Sequence, residues 1–273
     1  GGGSASGGGS ASGGGSASGG GSASGGGSVS HQREQEPNNG VQAADVNALA
    51  IPGDVSGVID PADDLDIFTV QLSAGDTWQW QLEAADGGLL AGHLGIAEHA
   101  NKVPNLVARA AVGGAVTQEQ FALSSGRYNV FVRDVRNVSA PSQHLGGPAY
   151  DYRLTVSRQA KTPSVLTLPA NLTATLPSRT AQALYSFTTT TSSMVVISVK
   201  AQNKAPASDL DARLSLFDAN AKLWLKTNDD QVLGSNSDPL IQGTLPAGTY
   251  VIVLDNVSPT AADLSYELHV TSS

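Results

Sequence analysis

The sequence contains no cysteine, which excludes disulfide bonds, thiolate metal ligands and cysteine nucleophiles. It has no apolar run of about 18 residues, so no transmembrane helix is expected. No signal peptide is recognisable, and the chain is therefore expected to be either cytosolic or the processed form of an exported protein. Charged residues make up only 14% of the chain, and small and β-branched residues dominate. This composition is typical of an exported β-protein.

The charge balance is acidic, with 15 Lys and Arg residues against 24 Asp and Glu residues. The resulting formal charge of −9 argues against binding nucleic acid through its phosphates. We therefore expect protein partners, either other subunits or copies of the chain itself, and no nucleic acid.

Residues 1–28 repeat Gly-Gly-Gly-Ser-Ala-Ser and carry no charge and no large side chain. This pattern predicts a flexible tether, natural or engineered. Ordered self-packing is the alternative, as a three-residue-per-turn polyglycine helix or a silk-like strand. Mature bacterial lipoproteins begin with a similar stretch after a lipidated cysteine. A membrane link is therefore expected only through a lipid anchor that precedes residue 1.

Two distant stretches, 123–134 and 245–255, share a glycine turn that delivers a tyrosine into an alternating strand. A repeat with the period of a whole domain indicates two copies of one fold. We therefore predict an all-β chain of two tandem antiparallel, jelly-roll-like β-sandwiches. The predicted units are a Gly/Ser-rich tail (1–28), a first domain (29–158) and a second domain (159–273).

The repeat also fixes which face of each strand is buried. In the first copy Tyr128 should face the core, because a shift of one residue would bury Asn129 and Arg133 instead. By alignment, Val251 and Val253 then lie on the outer face of the second copy, in line with Phe131 of the first. These three residues are a candidate binding surface for the sister domain or for another subunit. Alternatively, the valines only reflect strand propensity.

An earlier pair of alternating segments, 68–72 and 78–82, is joined by the turn Ser73-Ala74-Gly75-Asp76. This arrangement predicts two antiparallel neighbouring strands. Trp78 and Trp80 occupy the same face and are expected in the core. The histidines, including His93 and His99, form no metal-ligand motif and are expected at the surface.

Several ordered segments of the first domain together resemble the bacterial pre-peptidase C-terminal domain family. These small β-sandwiches are attached to secreted peptidases and other exported proteins, so the resemblance implies a β-sandwich fold and a bacterial extracellular or cell-surface location. The matching segments are Glu34-Gln35-Glu36-Pro37-Asn38-Asn39, Gly57-Val58-Ile59, Asp64-Leu65-Asp66-Ile67-Phe68, Leu72-Ser73-Ala74-Gly75-Asp76 and the Gly126-Arg127-Tyr128 strand.

Related collagen-binding domains of clostridial collagenases ligate calcium with a similar acidic start and a nearby acidic loop. Carboxylate and amide oxygens on loops suit this hard cation, which takes about six to eight oxygen ligands. Alternatively, these residues are ordinary turns in which Asp and Asn cap their own backbone. The residues that the resemblance implies as calcium ligands are Glu34, Glu36, Asn38, Asn39, Asp60, Asp63, Asp64 and Asp66.

No nucleophile elbow, phosphate loop or zinc-protease motif occurs in the sequence, so no enzymatic activity is predicted. The predicted function is that of an exported structural or adhesive protein that acts by protein–protein contacts at the cell surface, as a filament or other extracellular assembly. The alternative is an accessory module that binds a protein or polysaccharide substrate for a secreted peptidase system.

Overall fold

The structure, a computed structural model, describes residues 30–40, 47–232, 237–258 and 260–273. The tether and the ordered alternatives predicted for residues 1–28 therefore lie outside the described residues. In the described part of the chain, no helix has the length and hydrophobicity needed to cross a membrane.

The first half of the chain, residues 30–159, folds into strands that alternate with short turns. These strands are β1 (Ser30–Arg33), β2 (Gly53–Val58), β3 (Asp66–Leu72), β4 (Thr77–Ala84), β5 (Ala91–Glu98), β6 (Leu106–Val112), β7 (Ala115–Phe121), β8 (Gly126–Asp134) and β9 (Asp151–Gln159). Two short helical segments follow β8, namely α1 (Val135–Ser139) and a 3-10 helix (Pro141–Gln143).

The second half, residues 164–273, is also built from strands. They are β10 (Ser164–Val165), β11 (Ala170–Thr175), β12 (Ala183–Thr189), β13 (Ser193–Lys200), β14 (Ala212–Asp218), β15 (Leu223–Asn228), β16 (Leu240–Leu245), β17 (Gly248–Asn256) and β18 (Ser265–Ser272). The predicted boundary between residues 158 and 159 falls at the end of β9. The domain boundaries themselves stay a prediction.

The strands form four sheets with a repeated topology. Sheet A has the order β1-β2-β9-β4-β7 and sheet B the order β3-β8-β5-β6. In the second half, sheet C has the order β10-β12-β17-β14-β15 and sheet D the order β11-β18-β13-β16. When β2–β9 are matched to β11–β18 in chain order, sheet D reproduces four strands of sheet A, and sheet C reproduces sheet B. The all-β, sandwich-type fold predicted from the sequence is thus confirmed, with one sandwich topology used twice.

Both copies of the repeated strand have the predicted register. Tyr128 in β8 is 2% exposed and Tyr250 in β17 is 1% exposed, each within the core of its own half. Each hydroxyl donates to a carbonyl four residues earlier, Tyr128 to Ser124 at 3.1 Å and Tyr250 to Pro246 at 2.9 Å. In many β-sandwiches, a tyrosine hydroxyl makes a hydrogen bond to the backbone a few residues earlier and so stabilises the turn that precedes its strand. This bond explains why the glycine-turn and tyrosine pattern is repeated.

The prediction that 68–72 and 78–82 are neighbouring strands is wrong. Strand β3 lies in sheet B and pairs with β8, whereas β4 lies in sheet A between β9 and β7. The turn between them, in which Gly75 has a φ of +87°, therefore carries the chain from one sheet to the other. Alternation identifies the buried face of a strand but not the strand beside it. Trp78 and Trp80 are therefore expected in the core whether or not β3 and β4 are neighbours, and both are buried in the structure.

The outer face of sheet C packs against the first half of the chain. Val251 and Val253 are 6% and 2% exposed and belong to the same apolar cluster as the core of the first half. Phe217 in β14 meets Phe121 in β7 edge to face, with ring centroids 5.1 Å apart and planes at 81°. The halves therefore share a buried apolar contact.

A buried polar network borders this contact. Gln182 accepts a hydrogen bond from the backbone N–H of Phe121 and donates to Asp255 Oδ2 at 3.1 Å, so its amide joins the two halves. Asp255 also pairs with Arg213 at 2.9 Å, and both side chains are largely buried. Because each of these polar groups has a partner, the contact fixes a defined orientation between the halves.

Candidate functional site

The segment that follows β1 carries Glu34 and Glu36 and lies next to the first residues of β3. Strand β1 runs parallel to β2, and the Glu34 N–H continues the pairing by donating to the Ser56 carbonyl at 3.1 Å. The Ile67 N–H then donates to the Asn38 carbonyl at 3.2 Å. These bonds fix the segment against both sheets and bring its side chains close to Asp66, the first residue of β3.

Oxygen atoms converge where the segment meets β3. One carboxylate oxygen from each of Glu34, Glu36 and Asp66 lies within 4.8 Å of the others. The fully buried Asn38 directs one end of its amide into the same space, at 3.0 Å from Asp66 Oδ1 and 3.3 Å from both Glu36 Oε1 and Asn39 Oδ1. If this end is nitrogen, its two hydrogens can be shared among the three oxygens; if it is oxygen, a protonated carboxyl group or a cation is needed between these acceptors.

Tyr152, in β9, forms the floor of the cluster. Its hydroxyl lies 2.6 Å from Asp66 Oδ2 and 3.0 Å from Glu34 Oε2. A tyrosine hydroxyl has one hydrogen, so it cannot donate to both carboxylates at once. Glu34 also accepts from the Val58 N–H, and Glu36 accepts from the Asn38 N–H at 3.0 Å. The cluster therefore holds more acceptor oxygens than donors.

The electrostatics of the cluster reflect this imbalance. Burial, together with the charge of Glu34, raises the pKa of Asp66 to about 9. Burial also raises the pKa values of Glu34, Glu36 and Asp64, and nearby carboxylates add to each shift. Burial and like charges both disfavour the ionised forms. At neutral pH the cluster must therefore be neutralised by a proton or by a cation.

The other predicted ligands lie around this cluster in different roles. Asp60 is exposed, and Asp64 has the turn-capping role considered from the sequence, because its carboxylate accepts from the backbone N–H groups of Asp60 at 3.2 Å and Leu65 at 2.9 Å. Asp63 has a left-handed φ of 68° and pairs with His144. The structure thus brings together Glu34, Glu36, Asn38, Asn39 and Asp66. It places Asp60 and Asp64 in the adjoining turn, and it directs Asp63 to a histidine.

The sequence did not indicate a role for Tyr152 in the site, because an aromatic residue in an alternating strand is expected to be an ordinary core residue. It also missed the groove beside the cluster, which has a volume of about 900 Å³. Further carboxylates line this groove, namely Glu83 of β4, Asp86 just after β4 and Asp151 at the start of β9. The groove forms only where neighbouring strands of sheet A and the segment after β1 come together, and these parts are far apart in the sequence.

The three residues of the predicted binding surface are not brought together. Val251 and Val253 are covered by the first half of the chain, so they do not form an exposed surface. Of the two partners considered for these valines, the structure places the sister half there. Phe131 lies apart from them, half-buried on the outer face of sheet B, because β8 and β17 belong to different sheets.

The expectation of surface histidines is wrong for His93, which is only 6% exposed. It lies on β5 between Arg133 of β8 and Arg109 of β6, and burial together with these two positive charges lowers its pKa to about 4. His99, by contrast, is exposed. A single polar residue in an otherwise apolar strand gave no sign of this difference.

The acidic loop of the second half serves the backbone. Asp238 is buried and accepts hydrogen bonds from the N–H groups of Ala201, Gln202 and Asn203, each at 2.9 Å. Asn228 accepts from the Leu240 N–H at 2.8 Å. These contacts match the turn-capping interpretation of acidic loops.

The fold and this site define a class of protein: tandem β-sandwiches with an acidic oxygen cluster at one end of the first. No protein-family profile matches the sequence, and no curated protein matches it either. Similarity is found among solved structures.

The pre-peptidase C-terminal domain of a collagenase from Bacillus anthracis is similar at a TM-score of 0.34 and 15% identity, over 41% of this chain and 98% of that domain. PliG from Aeromonas hydrophila, a periplasmic inhibitor of g-type lysozyme, is similar at a TM-score of 0.32 and 14% identity, over 41% of this chain and 96% of PliG. The CUB1-EGF-CUB2 region of human MASP-1/3 has a TM-score of 0.25 and 8% identity, over 83% of this chain and 97% of that region. The likeness concerns the fold, and the β-sandwich itself rests on the strand pairing described above.

Proposed function

We propose that this chain is an exported, non-catalytic structural or adhesive protein that acts by protein–protein contacts at the cell surface, as a subunit of an extracellular assembly. The observation that carries the proposal is the contact between the halves. A buried apolar patch joins the two sandwiches, and two hydrogen bonds cross beside it, from the Phe121 N–H to the Gln182 side chain and from Arg213 to the Asn105 carbonyl at 3.2 Å. A fixed spacing between two sandwiches suits a protein that transmits force or sets a repeat distance.

The partners of such a protein would be other subunits or further copies of the chain. The net charge of −9 supports protein rather than nucleic-acid partners. A lipid anchor preceding residue 1 would attach the protein to a membrane, with residues 1–28 between the anchor and the sandwiches.

Electron microscopy and sedimentation of the purified chain test this assembly role. Filaments or lattices, or a sedimentation coefficient that rises with concentration, are the expected results. A chain that stays monomeric at high concentration and in the presence of calcium would contradict self-assembly. Fractionation of the source cells should place the protein outside the cytoplasm, and recovery from the cytosol would contradict export.

Within this function, the cluster of Glu34, Glu36, Asn38 and Asp66 is proposed to bind calcium, with Asn39 beside it. The convergence of three carboxylate oxygens, the single hydroxyl hydrogen of Tyr152 and the raised pKa of Asp66 support a cation there. Bound calcium would neutralise the carboxylates and fasten the segment that follows β1 to the sandwich. Calcium would therefore stabilise the end of the protein where the chain enters the first sandwich.

Calorimetric titration and thermal unfolding test this site. Calcium at about 100 times its dissociation constant should stabilise the protein by about 2.7 kcal/mol. The exposed Glu36 allows a mild test, since Glu36→Gln should weaken calcium binding without disturbing the core. Asp229→Asn, in the loop of the second half, is the matched control and should leave binding unchanged. Absence of both heat and a melting-temperature shift would eliminate the site.

The acidic groove of about 900 Å³ favours a second candidate function, that of a substrate-binding accessory module. The groove lies beside the proposed calcium cluster and is large enough for an extended polymer. Co-sedimentation with insoluble collagen and with cell-wall polysaccharide tests this role. Binding that Asp151→Asn and Glu83→Gln abolish would favour it over assembly, whereas absence of binding to either polymer would argue against it.

A further inference from the structure

The outer face of sheet B carries a row of basic side chains that crosses three strands. His93 of β5 is paired in register with Arg133 of β8 on one side and with Arg109 of β6 on the other. Both arginines act electrostatically on His93, which confirms that the three side chains are close. This face therefore concentrates positive charge on a chain whose net charge is −9.

The arginines of this row have no carboxylate partner in the part of the chain that the structure describes. Among the described residues, neither Arg109 nor Arg133 takes part in an ion pair, and Arg133 Nε is buried without a hydrogen-bond partner. His93 Nδ1 is likewise buried and unpartnered within the described chain. Acidic residues outnumber basic ones, so paired arginines are the expected state of a purely structural face. The unmet hydrogen-bonding capacity points to a partner from outside.

A cavity of about 310 Å³ opens beside this row. His93 and Arg133 form its polar side, and Leu65, Leu106, Val107 and Phe131 contribute apolar walls. Gly95 lies in register with Phe131, whose side chain packs beside it, since a Cβ at Gly95 would make an ordinary contact of 3.5 Å with Phe131. A volume near 300 Å³ is at the lower end of small-ligand sites.

The second half shows what the same positions do when their charges are complementary. Because β14 and β17 are the counterparts of β5 and β8, Arg213 and Asp255 correspond to His93 and Arg133. Arg213 and Asp255 pair with each other at 2.9 Å on a face that is covered by protein. In the first half the position of Asp255 is taken by Arg133, and no carboxylate replaces it among the described residues.

We propose that the cavity beside Arg133 and His93 binds the carboxyl terminus of a peptide whose last side chain is apolar. The carboxylate lies against the guanidinium of Arg133, with Arg109 adding to the attraction, and the side chain enters the cavity between Leu65, Leu106 and Phe131. Arginine suits this role because its planar fork matches a carboxylate with two hydrogen bonds.

The walls of the cavity favour a peptide over an acidic sugar. A sugar would place hydroxyl groups against Leu65, Leu106 and Val107, which offer no hydrogen-bonding side chain, and buried hydroxyl groups without partners are costly. An aliphatic or aromatic side chain instead gains from burial there. The site lies apart from the calcium cluster, and the proposal does not depend on assembly or on calcium.

The test uses the full chain in chelator and a short acetylated peptide ending in Ala-Leu, with either a free carboxylate or a carboxamide at its end. Binding is measured by calorimetry and by amide chemical shifts around Gly95. The free carboxylate should bind about tenfold more tightly than the amide, because a charge-assisted hydrogen bond is lost in the amide. Equal binding of the two peptides, or shifts confined to another surface, would overturn the proposal.

Variants locate the site. Arg133→Gln should weaken the peptide about tenfold, whereas Arg158→Gln, which makes the same change of charge at an exposed site elsewhere, should not. Gly95→Leu should fill the cavity and abolish binding, and Gly95→Ala, whose Cβ has ordinary contacts, gives a milder loss if the larger residue prevents folding. Hexanoate carries the same two groups without a peptide backbone. If it binds as tightly as the peptide, or if neither probe binds, the assignment to a peptide terminus is wrong.

Discussion

The contact between the two halves offers a sharp energetic test through the rings of Phe121 and Phe217. The two rings meet edge to face at 5.1 Å, and each belongs to a different half of the chain. Replacing each phenylalanine by leucine, singly and together, removes the aromatic contact but keeps most of the apolar volume. The double-mutant cycle then isolates the energy that couples the halves at this point.

The magnitudes follow from burial. Phe217 is 2% exposed and Phe121 is 7% exposed, so each substitution acts in a closed environment. Each single change should lower the free energy of unfolding by about 1 kcal/mol, as expected for apolar swaps of similar volume. The coupling between the rings should be about 0.5–1.5 kcal/mol, the range for edge-to-face aromatic pairs. The double variant should therefore lose less stability than the sum of the single changes.

Equilibrium unfolding in urea, followed by tryptophan fluorescence and by circular dichroism, measures these energies. Trp78, Trp80 and Trp224 all contact the apolar cluster that joins the halves, whereas circular dichroism reports on the strands of both halves, so coincident transitions would show that the halves unfold together. Phe187 and Tyr250, stacked at 5.5 Å within the second core, form a positive control for aromatic coupling. If the Phe121 and Phe217 changes add within about 0.3 kcal/mol, the rings do not touch and the described contact is wrong.

Three further predictions concern single side chains. Tyr250→Ala should lower the free energy of unfolding in urea by about 3 kcal/mol or more, as for a buried aromatic residue. Val251→Thr should lower it by about 1 kcal/mol, because it weakens the contact between the halves. Equal losses for the two variants would contradict the register. In chelator, stability should fall as pH rises from about 4 towards 9, because the pKa of Asp66 is raised in the folded protein, and Asp66→Asn should flatten that loss in pH-dependent unfolding curves. His93 has a lowered pKa, so stability should also be lost as pH falls from about 6.5 to 4; His93→Gln should remove this loss and His99→Gln should not.

The sequence was sufficient for the strands and for the register of the repeated one. Period-two alternation predicted the buried face of β8 correctly, although Asn129, which was expected on an exposed face, is itself only 6% exposed. The repeat transferred that register to β17, where alternation alone is ambiguous because Val251 and Val253 are as apolar as their neighbours. The structure resolves the ambiguity, since the first half of the chain covers that outer face.

The remaining features depend on contacts between distant parts of the chain. No local pattern distinguishes a turn within one sheet from a turn between sheets, so the neighbours of β3 and β4 could not be derived from Gly75. In the oxygen cluster, the resemblance supplied Glu34 and Asp66, but Tyr152 lies 86 residues from Asp66 and carries no motif. His93 was missed for the same reason, since its burial results from strands on both sides.

The two halves show how one topology can take different roles through a few outer-face residues. In β17 the outer positions are Val251, Val253 and Asp255, and the face is covered by protein. In β8 the equivalent positions are Asn129, Phe131 and Arg133, of which Asn129 is buried and Phe131 and Arg133 are half-buried. The outer face that is covered by protein in the second half thus carries, in the first half, arginines that make no ion pair with the described residues. The proposed peptide carboxylate would take the place at Arg133 that Asp255 takes beside Arg213, which is why the Arg133→Gln variant is the decisive one.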